Sequence, residues 1–124
     1  MFALTSNFCY YLYREPTDMR KGFNGLSALV HSRLRRYPTS GEVFIFINKR
    51  RDLIKLLRWE NDGFVLYYKR LEQGTLELPD WDSASKTYTM SWSELVMMIE
   101  GISLKDVRRR KRYSRYDDYQ QDRA

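Results

Sequence analysis

The chain of 124 residues contains one cysteine and one histidine, Cys9 and His31. A single cysteine excludes an internal disulfide, and one of each residue is too few for the ordinary zinc ligand sets. Neither a Gly-x-x-x-x-Gly-Lys-Ser/Thr loop nor a Gly-x-Gly-x-x-Gly motif occurs. No apolar run approaches the roughly 20 residues that cross a bilayer, and residues 1–7 lack the basic start of a signal peptide. These absences favour a cytoplasmic protein without a membrane segment, a bound metal or another cofactor.

Candidate catalytic groups are also sparse. His31 lies far from Cys9 in the sequence, so nothing supports a Cys/His nucleophile pair. We therefore predict that the protein is not an enzyme. A metal-dependent nuclease stays open as an alternative, although turns and helix caps give aspartate an ordinary structural role. Its magnesium site would use carboxylates alone, drawn from Asp18, Asp52, Asp62 and Asp80.

Positive charge is concentrated near the C-terminus. The formal net charge is +6; residues 1–104 hold 14 Lys/Arg and 12 Asp/Glu, whereas residues 105–124 hold eight and four. Such an excess repels itself and binds polyanions. We predict a single domain over residues 1–103, followed by a basic, partly disordered C-terminal arm over residues 104–124. The arm contains five consecutive cations, Arg108, Arg109, Arg110, Lys111 and Arg112.

Residues 43–71 combine strand-forming side chains with cations. A polar segment containing Lys49, Arg50 and Arg51 separates the first two of three apolar runs, and Asp62-Gly63 precedes the third. Asp-Gly between apolar runs indicates a hairpin, because a tight turn needs a positive φ that glycine adopts freely. The pattern therefore predicts an antiparallel meander. Its three runs are Val43–Ile47, Leu53–Trp59 and Phe64–Leu71.

The length of the second turn sets which side chains face each other. A two-residue Asp62-Gly63 loop would place Lys55 opposite Arg70 and Leu57 opposite Tyr68. Like charges that face each other across strands are destabilising unless solvent or an anion such as phosphate separates them. The alternatives are that one cation points to water, or that a longer loop over residues 60–63 changes the register.

Two main helices are predicted. The first, Asp18–Arg36, follows Pro16, and the second, Ser93–Glu100, has Ser91 or Ser93 as its N-cap. The first has a helical spacing of apolar residues at Met19, Phe23, Leu26, Val30 and Leu34. Its other face is basic and polar, which suits a phosphate backbone or simply solvent. With strands at Asn7–Tyr13 and Lys86–Met90, we expect an α+β fold whose antiparallel sheet is covered on one side by both helices.

Five segments are more specific than these general properties, namely Thr17–Leu26, Arg51–Trp59, Asp62-Gly63, Lys69–Glu72 and Glu100–Ile102. In this order they resemble the small TnpB-type accessory protein of insertion-sequence family sixty-six, which is unrelated to the RNA-guided nuclease of the same name. The resemblance covers most of residues 8–103. It implies a protein of a bacterial mobile element, needed alongside a separate transposase and without catalytic residues of its own.

We therefore predict a non-catalytic accessory protein of DNA transposition that binds element DNA or the transposase-DNA complex. Lysine and arginine neutralise phosphates, and tyrosines beside them, such as Tyr67 and Tyr68, could stack on exposed bases. The structural alternative is that these two alternate between sheet faces, so that at least one belongs to the core. The predicted DNA-binding residues are Arg20, Lys21, Lys49, Arg50, Arg51, Lys55, Lys69, Arg70, Arg108, Arg109, Arg110, Lys111 and Arg112.

The expected partners are DNA of the element ends and the transposase of the same element, and a homo-oligomer is compatible with the sequence. The alternative to DNA binding is a protein-interaction module that docks on the transposase, with the cations serving solubility.

Overall fold

The structure is a computed structural model that describes residues 4–79 and 87–101. The predicted arm, with Arg108–Arg112, lies outside these residues. The strands are β1 (Tyr10–Tyr13), β2 (Val43–Ile47), β3 (Leu53–Glu60), β4 (Gly63–Arg70) and β5 (Thr87–Met90). The helices are α1 (Phe23–Leu29), which continues into a π-helical turn (Val30–Leu34), and α2 (Trp92–Glu100).

The five strands form one mixed sheet in the order β4-β3-β2-β1-β5. Neighbouring strands pair antiparallel except β1 and β2, which run parallel with Tyr10 opposite Val43. The α+β class is thus confirmed, whereas the expectation of a wholly antiparallel sheet was wrong. The reason is the connection: α1 carries the chain back along the sheet, so that β2 begins beside the start of β1.

The hairpin between β3 and β4 does not have the register that an Asp62-Gly63 loop would give, and the alternative of a changed register applies. Glu60 pairs with Gly63, so the two-residue loop is Asn61-Asp62, and Asn61 takes the positive φ of 56°. Asparagine is one of the few residues besides glycine that adopt this conformation, and the turn lies one residue earlier than an Asp62-Gly63 loop. Lys55 consequently faces Tyr68 rather than Arg70, and the predicted pairing of like charges does not occur.

The helices cover opposite faces of the sheet, which corrects the expectation that both lie on one side. All five residues of β2 are buried, so both of its faces require cover. On one face the core includes Val43, Ile45, Ile47, Leu95 and Met98, and α2 packs there. On the other face it includes Phe44, Phe46, Leu26, Val30 and Leu34, and α1 packs there.

Both helices have ends that the sequence partly explains. The N-cap of α2 is Ser91, whose hydroxyl accepts the Glu94 N–H while the Glu94 carboxylate accepts the Ser91 N–H, and Gly101 ends the helix at φ 81°. The first helix begins at Phe23 rather than Asp18. Residues 18–21 instead form a turn in which the Lys21 N–H donates to the Asp18 carbonyl at 3.1 Å.

Candidate nucleic-acid interface

Three segments meet at the end of the sheet where β2 ends and β3 begins. The Thr17 N–H donates to the Ile47 carbonyl at 2.9 Å, which places the segment before α1 beside the end of β2. The Leu71 N–H donates to the Asp52 carbonyl at 2.8 Å, and this bond joins the end of β4 to the loop between β2 and β3. We call this region, comprising residues 14–21, 48–52 and 69–77, the basic end.

The basic end has an excess of positive charge that the other end of the sheet lacks. Its three segments contain eight Lys/Arg and five Asp/Glu. The segments at the other end, residues 35–42, 58–63 and 91–94, contain three Lys/Arg and four Asp/Glu. Cations from separate parts of the chain are therefore gathered at one end of the fold. The eight are Arg14, Arg20, Lys21, Lys49, Arg50, Arg51, Lys69 and Arg70.

The loop between β2 and β3 is braced by one asparagine. The Asn48 Oδ1 accepts the backbone N–H groups of Asp52 and Leu53 at 3.0 Å each, and its Nδ2 donates to the Asp52 carboxylate at 2.7 Å. Arg51 adopts a left-handed conformation with φ 60°. Because these bonds are internal to the loop, its backbone is fixed without using any of the neighbouring cationic side chains.

The cations of this loop are exposed. Lys49, Arg50 and Arg51 all lie on the surface. In the described part of the chain, no carboxylate oxygen lies within 4.0 Å of their charged nitrogens. Their charge is therefore available to an external anion.

Two further predicted cations are exposed but paired. The Arg20 side chain is 91% exposed, and its guanidinium contacts the Asp18 carboxylate at 2.6 Å. This hydrogen bond lowers the pKa of Asp18 to about 2. Arg70 contacts Glu72 at 2.8 Å, and both side chains are exposed. Exposed ion pairs contribute little free energy, so a phosphate can replace either carboxylate at small cost.

Lys55 is turned into the protein and is not part of this surface. Its side chain is only 5% exposed, and its Nζ donates to the carbonyls of Met19 at 2.7 Å and Lys21 at 2.8 Å. The same Nζ lies 4.5 Å from the centre of the Tyr68 ring. A buried ammonium needs such partners to offset its lost hydration. We therefore remove Lys55 from the predicted DNA-binding residues and assign it a structural contact.

The remaining predicted cations differ in position. Lys21 is exposed beside Asp18, and its charge contributes to the lowered pKa of that carboxyl. Lys69 is half-buried and lies opposite Ile54, on the face that α2 covers. The structure thus brings Arg20, Lys21, Lys49, Arg50, Arg51 and Arg70 to the basic end, with Lys69 at the same end on the other face.

Two exposed aromatic side chains lie on the α1 side of the sheet. Tyr68 is 52% exposed, whereas Tyr67 packs against the core of the α2 side. Phe23, the first residue of α1, is 47% exposed, although its spacing predicted a packed position. The alternation of residues along β4 separates the two tyrosines, as the sequence indicated, but only the register shows which one faces solvent.

Residues 4–79 and 87–101 contain no group of three or more His, Cys, Asp or Glu side chains that could hold a metal ion. None of the helices in these two ranges is long and apolar enough to cross a bilayer.

Comparison with known proteins identifies relatives without an assigned activity. The chain is 34% identical over 96 residues to uncharacterized protein y4jC of Sinorhizobium fredii (strain NBRC 101917 / NGR234), covering 77% of this chain and 80% of that protein. Uncharacterized protein y4hO of the same strain is 30% identical over 86 residues, covering 69% and 73%. No solved structure matches. Residues 9–109 match the family described as IS66 Orf2 like protein, which confirms the resemblance seen in the sequence, and the chain belongs to that family.

Proposed function

We propose that the protein is a non-catalytic accessory protein of DNA transposition that binds DNA of its element through the basic end. The single observation that carries this proposal is the meeting of three distant segments at one end of the sheet, joined by backbone hydrogen bonds. Membership of the IS66 Orf2 like protein family supports the accessory role in transposition.

The expected binding is electrostatic. Cations that neutralise DNA phosphates release condensed counterions, so affinity falls as salt rises. Lys49, Arg50 and Arg51 provide three exposed charges on a braced loop. Arg20 and Arg70 add two guanidiniums whose carboxylate partners a phosphate can replace. The positively charged C-terminal sequence with Arg108–Arg112 adds to the same attraction.

Fluorescence anisotropy with the full chain tests the proposal at several salt concentrations. The probes are a terminal-repeat duplex and a scrambled duplex. In a variant with Lys49→Gln, Arg50→Gln and Arg51→Gln, the slope of log affinity against log salt should flatten by about 0.9 for each of the three that contacts a phosphate.

The matched control replaces two exposed arginines outside the basic end, Arg33→Gln and Arg35→Gln, and should leave the slope unchanged. Equal slopes for the wild type and the triple variant would contradict binding through this loop. A preference for the terminal repeat over the scrambled duplex would in addition show base-specific contacts.

A protein-interaction role is the second candidate, because β4 is an edge strand. In the sheet of the described residues β4 pairs only with β3, so one edge of this eight-residue strand faces no other strand of that sheet. Such an edge can accept an extended segment of another protein, here the transposase. Pull-down of the transposase from nuclease-treated lysate separates the candidates, since only direct docking survives removal of DNA.

A further inference from the structure

We propose that Tyr68, which directly precedes the basic end along β4, is a stacking platform for an unpaired nucleobase, so that the basic end and this ring together hold a single-stranded stretch of DNA rather than duplex alone. This inference rests on the proposed DNA binding and specifies the form of DNA that the site accepts.

The first observation is the exposure of the ring. Three large apolar or aromatic side chains of the described residues are strongly exposed, namely Phe23, Tyr37 and Tyr68. Tyr68 belongs to a strand, and its fixed backbone distinguishes it from Tyr37, which lies in the turn that follows the first helix. An aromatic ring that is half exposed on a rigid element has apolar surface that no other described residue covers.

The second observation is that one face of this ring is already held. The Lys55 ammonium lies 4.5 Å from the ring centre, and two backbone carbonyls fix that ammonium in turn. The cation–π contact therefore holds one face of the ring, while the residue as a whole remains half exposed. A ring that is fixed in advance loses little conformational entropy when a base stacks on it.

The third observation is the charge around the ring. Arg70 lies two residues further along β4 on the same face, about 7 Å away by strand geometry. Lys21, whose carbonyl holds the Lys55 ammonium, is exposed beside it. Phe23 begins α1 two residues after Lys21, on the same side of the sheet, and offers a second exposed ring.

Aromatic rings interspersed with cations match the chemistry of single-stranded nucleic acid. Cations follow the phosphates, and rings stack on bases of any identity, because every base has a π face. Bases inside a duplex are already stacked and cannot use such a ring. Lysine is depleted at the centres of protein interfaces, whereas Lys21 lies exposed beside this ring.

The test compares two single strands of equal length and phosphate number, oligothymidylate and an abasic oligodeoxyribonucleotide, in fluorescence anisotropy with the full chain at one salt concentration. The wild type should bind oligothymidylate more tightly. Tyr68→Ala should weaken that binding by roughly 5- to 150-fold, the worth of one stacked base, and should leave binding of the abasic strand unchanged.

Three control variants isolate the ring. Tyr68→Phe keeps the ring and should bind both strands as the wild type does, and Tyr37→Ala, which removes an exposed tyrosine elsewhere, should do the same. Tyr68→Leu keeps apolar cover over Lys55 without a ring and should behave as Tyr68→Ala does. Thermal unfolding of each variant verifies that it is folded.

The results of this test distinguish base stacking on Tyr68 from DNA binding by the cations. Equal binding of the two strands by the wild type, with a steep salt dependence, would overturn base stacking and leave DNA binding by the cations intact. Equal losses on both strands in Tyr68→Ala, or wild-type affinity in Tyr68→Leu, would also overturn it. Absence of binding to either strand and to the terminal-repeat duplex would overturn both proposals.

Discussion

Replacement of Lys55 by methionine should destabilise the protein although methionine is the more hydrophobic residue. Lys55 is the third residue of β3, and its ammonium donates hydrogen bonds to the carbonyls of Met19 and Lys21. These bonds tie the turn before α1 to the sheet. Methionine can fill the space of the aliphatic stem, but it cannot donate to either carbonyl or contact the Tyr68 ring as a cation.

The magnitude follows from these contacts. Hydrogen bonds that involve a charged group contribute about 1.5 to 3 kcal/mol each. Lys21 is exposed and Met19 is only half-buried, so water can take the place of the ammonium and the lower value applies to both bonds. The cation–π contact adds about 0.5 to 1 kcal/mol. The methionine variant no longer buries a charge, and this gain offsets part of the lost stability. We therefore expect Lys55→Met to lower the free energy of unfolding by about 3 kcal/mol.

Urea unfolding followed by circular dichroism measures this difference, with an unchanged m-value as the sign that both proteins unfold from comparably compact states. The matched control is Lys69→Met on the adjacent strand, a half-buried lysine on the other face. Its effect should stay within about 0.5 kcal/mol. A loss below about 1 kcal/mol in Lys55→Met would show that water replaces the ammonium without cost, and would refute the structural role assigned to this lysine.

Three further predictions concern other contacts. Asp18→Asn removes the negative partner of Arg20 and should raise affinity for DNA in the anisotropy assay, whereas weaker binding would argue against a phosphate contact by that arginine. Ser91→Ala should lower the free energy of unfolding by about 1 kcal/mol in urea, since the α2 N-cap is lost, and an unchanged value would contradict the capping box. Burial, and then a hydrogen bond to Glu15, raise the pKa of Tyr13 to about 12. The pKa of Tyr13 in the unfolded chain is about 10. The neutral phenol therefore stabilises the folded protein fully below about pH 10, and this stability is lost as the pH rises towards 12. Tyr13→Phe should abolish that part of the alkaline decline in urea unfolding, and identical declines in both proteins would contradict it.

Local patterns in the sequence predicted many of the elements. The three apolar runs of residues 43–71 correspond to β2, β3 and β4, because alternation and turn residues act over a few positions. The capping residue Ser91 and the terminating Gly101 were recognisable for the same reason. Ordered motifs along the chain also sufficed to identify the family.

The candidate site was less accessible to such reasoning. In the sequence Lys55 is one more cation of a basic block. It is nevertheless buried, because its strand lies beneath the turn before α1, more than thirty residues away in sequence. Nothing near Lys55 in the sequence indicates that carbonyl partners will be present. A signal did exist, since this lysine sits between two core residues of a strand and buried lysine requires partners.

Amino-acid order alone therefore specified the strand-forming runs, the cap of α2, the net positive charge and the family. The fold in three dimensions specified which faces the helices cover, which tyrosine of β4 meets solvent, and which cations share one end of the sheet. The physical reason is the distance along the sequence over which each interaction acts. Propensity, periodicity and capping depend on residues within a turn or two of each other, whereas burial, register and the field of several charges depend on segments that meet only after the chain has folded.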